Sequence, residues 1–393
     1  MKNYIGKLTF WKCLAGIILA AGAYATFVRF TSGLGRSTNL NDMYPWGLWI
    51  GFDVMCGVGL AAGGFTIAAL VHIFNVKRFE PILRPTILTA FLGYLLVIVG
   101  LMFDLGRPMM IWHAIIMWNP HSVMFEVAWC VMLYTTVLAL EFAPVVLEKF
   151  KMSKTLRILR RVSIPIVILG VLLSTLHQSS LGSLFLIVPD KLYGLWYTPY
   201  LPIFFFVSAL AAGCAMVIFE STLSARVFHR GLELKILDEI GRIAVVLLGV
   251  CLVMRVMDGY YRDISTLLFV PRMETYLYWF EMLVGVIAPI ILLSQARIRK
   301  SKNGLFVCAV MIIIGFITDR LNIALTGMQA SAGMSYFPSW METSITLAIV
   351  TFGFVAFSLA AKYLPVYEQE EHAAAASLPE AWVEDLALIS EKP

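Results

Sequence analysis

The sequence predicts an all-α integral membrane protein of about ten transmembrane helices. Composition is the first reason. The 393 residues are 60 % hydrophobic and 14 % charged, with a mean hydropathy of +0.83, whereas soluble domains carry about 25 % charged residues. The second is spacing: apolar runs long enough to cross the hydrocarbon core, roughly 20 residues at 1.5 Å each, recur along the whole chain. The third is the placement of charge. Of the 30 Lys and Arg, 22 fall in the N-terminus, the alternate loops 75–85, 148–161, 221–242 and 296–303, and the C-terminal tail. The positive-inside rule then places both termini in the cytoplasm.

Windowed hydropathy predicts spans at 11–30, 47–74, 86–104, 122–147, 162–183, 200–221, 241–260, 274–295, 304–322 and 340–363. Lys2, Lys7 and Lys12 precede the first run, but Arg29 ends it without a small-residue cleavage site, so it reads as a retained span. Gly57, Gly59, Gly63 and Gly64 in the second would permit a break. Asp104 and Arg107 close the third at a spacing that allows them to pair, as do Arg255 and Asp258 at the end of the seventh. Glu281 opens the eighth span, Asp319 and Arg320 end the ninth, and Glu342 opens the tenth. Trp46, Trp49, Trp112, Trp118, Trp196, Trp279 and Trp340 lie near outer ends, as an interfacial aromatic belt requires. Residues 1–365 form one ten-span domain, and 366–393 an acidic, Ala-rich cytoplasmic tail in which Pro379–Ile389 has the pattern of a short amphipathic helix.

The fifth span carries the most polar stretch: Thr175, His177, Gln178, Ser179 and Ser180 lie within its outer third. Lipid cannot satisfy these donors and acceptors, so they face either neighbouring helices, as glue, or a polar pocket. Glu126 lies one turn into the fourth span among Val123, Met124, Phe125, Val127, Ala128 and Trp129. An unpartnered carboxylate in such surroundings binds a proton readily. Glu141 follows fifteen residues later, about 22 Å along the axis and about 60° around it, and Glu220 reaches the inner side from the sixth span. Together the three acids could carry protons from the cytoplasm toward an outer pocket, or Glu141 and Glu220 could be interfacial carboxylates beside the basic loops.

Cys13, Cys56, Cys130, Cys214, Cys251 and Cys308 stand singly in apolar segments, with no CxxC and no cluster-ligand spacing. No iron–sulfur cluster, disulfide or metal site is therefore expected in this chain. Haem b needs two axial ligands at one depth; His72 is inner and His113, His121 and His177 are outer, which argues against it.

The stretches PWGLWIGFD (Pro45–Asp53), GGF (Gly63–Phe65), FDLGRP (Phe103–Pro108), HSVMFE (His121–Glu126), LEFAP (Leu140–Pro144), TLHQSSLGS (Thr175–Ser183), VIFE (Val217–Glu220), YYRD (Tyr260–Asp263) and YFPSW (Tyr336–Trp340) occur in this order. With them the chain resembles the NrfD/PsrC-like quinone-interacting membrane subunits, and within these the HybB-type membrane subunits of type-2 uptake nickel–iron hydrogenases. The resemblance covers about residues 45–340 and does not extend to 372–393. It implies two four-helix bundles plus two flanking helices in a bacterial inner membrane. It also implies no redox centre in the chain, and a menaquinone or ubiquinone site near the outer face beside a periplasmic ferredoxin-like iron–sulfur subunit. The hydrogenase large and small subunits are the implied electron source, although polysulfide reductases, nitrite reductases and multihaem cytochrome complexes use similar subunits. By the same resemblance Asp53, Asp104, Arg107, Glu126, His177, Gln178 and Trp46 line the quinone site. A transporter, with the outer cluster as its substrate site, and a purely structural anchor are the rival readings; nothing suggests nucleic acid.

Overall fold

The computed structural model describes residues 10–44 and 46–367, so Pro45 and the tail from 368, including Pro379–Ile389, lie outside the described residues. Ten helices are long and apolar enough to cross a membrane: Phe10–Ser32, Trp49–Ile73, Lys77–Asp104, Val123–Lys149, Ser163–Ser183, Leu201–Val227, Leu234–Tyr261, Met273–Ser294, Lys302–Ala332 and Trp340–Tyr363. They are spans 1–10 below, and no strand occurs among the described residues. The chain is a multi-pass integral membrane protein. Alternation of the spans gives two faces. One, the loop-rich face, carries segments 33–48, 105–122, 184–200, 262–272 and 333–339; the other, the basic face, carries 74–76, 150–162, 228–233 and 295–301.

Local chemistry fixes several ends. Ser122 and Ser301 accept the N–H groups of Phe125 and Gly304 as N-caps of spans 4 and 9, and Ser339 with Glu342 forms a full capping box on span 10. Span 9 runs ten residues beyond its expected end at 322. Asp319 and Arg320 look like an exit from the membrane, but both are buried and charge-paired inside the protein, so the helix continues.

Packing is closed locally. Span 2 packs on span 3, span 3 on span 4, span 4 on span 5, and span 5 back on span 2. Spans 6, 7, 8 and 9 form the same circuit, and spans 1 and 10 pair with each other, span 10 also lying against span 3. Span 6 joins the two circuits through spans 2 and 5. Where it crosses span 2, a Cβ on Gly213 would sit 2.5 Å from the Gly63 nitrogen, so backbone meets backbone there.

The glycine-rich second span is indeed irregular. It has π-helical turns at Trp49–Cys56 and Ala69–Ile73 and a tightened turn at Ala61–Ala62. There Ala62 N–H bonds to Gly59 O instead of Val58 O, which leaves the Val58 carbonyl without its helical donor. Gln178 of span 5 supplies one, Nε2 to Val58 O at 3.0 Å. A broken backbone pattern in hydrocarbon persists only when a neighbour satisfies it in this way.

Candidate functional site

Three polar neighbourhoods lie within the membrane-spanning region, and the sequence-predicted residues are divided among them.

The first lies between spans 2, 3, 4 and 5. His177 is wholly buried about 9 Å, or six residues, from the loop-rich end of span 5. Its Nδ1 shares a 2.9 Å hydrogen bond with Tyr94 OH of span 3. Nε2 is buried and has no protein partner. Tyr94 meets Tyr134 of span 4 edge-on, with ring centroids 4.6 Å apart. Both phenols face the Ser174 hydroxyl, one turn below His177. Neither Ser174 Oγ nor Tyr134 OH reaches a partner in good hydrogen-bond geometry. Toward the loop-rich face, Ser180 donates to Glu126 Oε1 at 2.6 Å, with Leu176 O as its other acceptor. Glu126 therefore has a fixed partner and is not the isolated carboxylate its apolar sequence neighbours suggest. Toward the basic face, Glu141 packs on Gly170 and keeps a buried, unpartnered Oε2. It lines a cavity of about 400 Å³ together with His72, Glu80, Arg84, Glu148 and Arg160. Trp46, on the loop-rich face, lies edge-on to Phe185 at 5.5 Å.

The second neighbourhood lies among spans 1, 2, 3 and 10. Asp53 accepts from Thr346 Oγ1 at 2.6 Å and packs against Gly100. Asp104, one turn beyond Gly100, faces Arg29, whose Nε and Nη2 each donate at 2.7 Å, to the carbonyls of Phe103 and Leu105. Arg107 is exposed and forms no ion pair with Asp104 among the described residues. The cation that acts on Asp104 is therefore Arg29 of span 1, through space and with no ion pair among the described residues, and Asp104 Oδ1 is buried without a partner. Glu342 caps span 10 and accepts from Tyr336. Burial, and then this carboxylate, push the Tyr336 phenol above its ordinary value, so it remains a donor. Asp53 and Asp104 thus belong with spans 1 and 10, whereas His177 and Gln178 face the interior of spans 2–5.

The third was not singled out as a site from sequence. Arg255 of span 7 donates to Glu281 of span 8 at 2.8 Å and pairs with Asp319 of span 9. Asp319 also pairs with Arg320, which donates to Ser208 at 2.8 Å and stacks over the Phe205 ring at 3.6 Å. Asn322 and Trp196 donate to Glu281. Two of the four π-helical turns among the described residues, Glu281–Ile287 and Asn322–Thr326, begin at this network, and such turns are frequent where side chains are aimed for function. Arg255 does not pair with Asp258; that carboxylate takes Arg262 and Thr198 instead. Spacing along one helix pointed to the wrong partner because the competing acids lie on spans 8 and 9.

Glu220 lies apart from Glu126 and Glu141. It accepts from Ser224 at 2.8 Å and from Tyr367 OH at 3.2 Å. Burial, and then the Glu220 carboxylate, push the Tyr367 phenol upward, so it stays protonated and donates. With Val366 1 % exposed, the first residues assigned to the tail dock on the helical domain.

A family model described as Polysulphide reductase, NrfD matches residues 36–332. A protein of Nitratidesulfovibrio vulgaris is 38 % identical over 375 residues, covering 91 % of this chain and 95 % of the relative. The probable Ni/Fe-hydrogenase 2 b-type cytochrome subunit of Escherichia coli (strain K12) is 34 % identical over 352 residues, 88 % of this chain and 90 % of the relative. The menaquinone reductase integral membrane subunit of Nitratidesulfovibrio vulgaris is 28 % identical over 395 residues, 93 % of each chain.

Proposed function

The chain belongs to the NrfD family, and from that premise we propose that it is the quinone-reactive membrane subunit of a respiratory redox complex. Electrons come from a periplasmic ferredoxin-like iron–sulfur subunit, fed by the large and small subunits of a nickel–iron hydrogenase, and reduce menaquinone or ubiquinone. The loop-rich face is then the periplasmic one and the basic face cytoplasmic, as the positive-inside rule requires. The printed names of the hydrogenase and menaquinone reductase relatives support this reading.

One observation carries the choice of site. The His177 ring has one nitrogen anchored on Tyr94 and the other buried without a protein partner, and buried polar atoms in native proteins are nearly always paired. With the Tyr94 phenol donating to Nδ1, the neutral imidazole carries its proton on Nε2. That N–H can donate to a quinone carbonyl oxygen and stabilise the charge that develops as the ring is reduced. Reduction consumes two electrons and two protons. Tyr94, Ser174 and Tyr134 lead from His177 toward Glu141 and its cavity on the basic face, and Ser180 leads to Glu126 on the opposite side. Glu220, held by Ser224 and Tyr367, is a separate acid and joins this path less directly.

A b-type haem, which the hydrogenase relative's name implies for that protein, does not fit the residues present here. It needs two facing axial ligands. Among the described histidines only His177 is buried, its Nδ1 is engaged, and His72, His113, His121 and His229 sit at or beyond the ends of spans.

The test is His177→Ala in the intact complex, with reduction of quinone and of an artificial dye measured side by side. Loss of the single aimed donor should lower the quinone rate on the order of 10²–10³-fold and leave dye reduction and partner binding unchanged. A wild-type quinone rate in this variant would make His177 helix glue.

A further inference from the structure

A large apolar cavity belongs to none of the three polar neighbourhoods as a whole. Span 10 packs on spans 1 and 3, and span 9 on spans 6 and 8. Between them runs a fissure of about 410 Å³, from Asp53 near the loop-rich end of span 2 to Leu223 and Ser224 near the basic end of span 6. It follows span 10 from Ile349 to Phe357, about 12 Å at 1.5 Å per residue. Ile314 (42 % exposed) and Phe354 (52 % exposed) stand at its side, so it opens laterally at hydrocarbon depth. Of its two carboxyl groups, Asp53 is engaged by Thr346, and Glu220 accepts from Ser224 and Tyr367 at Oε1 while its Oε2 is buried without a partner. What remains is a long slot lined by aliphatic and aromatic side chains, whose walls gain dispersion contacts only from a guest.

The basic-face mouth of the slot is cationic. Phe219, in its wall, stacks on Phe306 at 5.5 Å, and the Arg226 guanidinium lies 4.8 Å over that second ring. Arg226 also donates to Asn303 at 3.1 Å, which fixes it beside the start of span 9. Lys302 and Lys362, both exposed, end spans 9 and 10 on the same face. Basic side chains at the headgroup level attract anionic lipid.

We propose that the fissure holds one acyl chain of an anionic phospholipid from the basic-face leaflet, with the lipid phosphate at Arg226, Lys302 and Lys362. The site is a lipid site in its own right and does not depend on where quinone reacts.

The experiment uses the full chain in vesicles containing phosphatidylglycerol with a photoreactive diazirine near the end of one acyl chain. After illumination, labelled peptides are mapped. Label in the wild type should concentrate on spans 9 and 10 deep in the fissure, around Ile314, Ile317 and Ile349. Val310→Trp, which fills the slot, should reduce this label to the level of ordinary lipid-facing positions. The control Val246→Trp, at a site 65 % exposed elsewhere on the surface, should leave it intact. Arg226→Gln should remove the preference for phosphatidylglycerol over phosphatidylcholine carrying the same chain. Wild-type label spread evenly over the lipid-facing surface would overturn the proposal, and that arm decides even where Val310→Trp does not fold. Recovery of one tightly held quinone per chain, with the fissure unlabelled by phospholipid, would overturn it equally.

Discussion

Replacing Tyr94 by Phe removes one oxygen and almost nothing else. The edge-on contact with Tyr134 is a ring contact and survives, so helix packing should hold. What is lost is the 2.9 Å hydrogen bond to His177 Nδ1. On the proposed reading, with the phenol donating, that bond fixes the ring orientation and keeps the imidazole proton on Nε2, where a quinone carbonyl can use it. A neutral hydrogen bond contributes about 0.5–1.5 kcal/mol net, which at about 1.36 kcal/mol per tenfold corresponds to a rate loss of roughly 2- to 13-fold. Tyr94→Phe should therefore retain substantial quinone reduction, well above His177→Ala, with dye reduction unchanged. The assay is steady-state quinone reduction by the intact complex in liposomes, run on wild type, Tyr94→Phe, His177→Ala and the double variant. If Tyr94 acts only by positioning His177, it adds nothing once His177 is gone, so the double variant should match His177→Ala. Independent, multiplying effects in the double variant would refute the positioning role. A Tyr94→Phe rate equal to that of His177→Ala would mean that the phenol itself is the reacting group.

Further outcomes follow from the other neighbourhoods. On the proposed proton path, Glu141→Gln should slow quinone reduction and diminish charge movement in proteoliposomes; unchanged turnover would remove Glu141 from that path. Arg255→Met leaves Glu281 and Asp319 short of their shared cation, and removing one partner of a buried ion pair costs about 3–5 kcal/mol. Thermal unfolding in detergent should fall accordingly, and an unchanged midpoint would show that the network is wet and weak. Gly213→Val places a side chain 2.5 Å from the Gly63 backbone and should cost about 1–3 kcal/mol as overpacking, read as lowered membrane yield and midpoint; wild-type values would mean that spans 2 and 6 separate easily.

The architecture was legible because hydrocarbon imposes a length and an apolarity that few soluble helices share, and every one of the ten apolar runs became a helix of spanning length. The ninth was cut short in the sequence for a physical reason. Asp319 and Arg320 resemble an interface until Arg255 and Ser208 supply partners from other spans. Side-chain partnerships were less legible. Spacing along one helix suggested Asp104 with Arg107 and Arg255 with Asp258, yet Arg29 of span 1 faces Asp104, Arg255 takes acids of spans 8 and 9, and Asp258 takes Arg262, four residues further along its own helix. Tyr94, Tyr134 and Ser174 escaped notice because a helical hydroxyl is tolerated almost anywhere in a span. Their only sequence signal was depth, since two tyrosines and a serine lie near mid-span, where aromatic belts do not reach. Asp53 and His177 share an outer depth, and sequence carries no signal that they face different neighbours.

The borrowed donor at the Ala61–Ala62 turn also bears on the order in which the chain is made. Span 2 is complete at Ile73 and Gln178 follows 105 residues later, about 5–20 s of synthesis at 5–20 residues per second. Throughout that interval the Val58 carbonyl has no Gln178 to accept from. A regular helix has no such need, because Ala62 N–H then serves Val58 itself. The nascent span is thus expected to enter the bilayer straight and to bend only when span 5 arrives. A chain truncated before Ser163 would keep the straight form, and an isotope-edited infrared band of the Val58 carbonyl that shifts in the full-length protein, where Gln178 donates to it, would register the change.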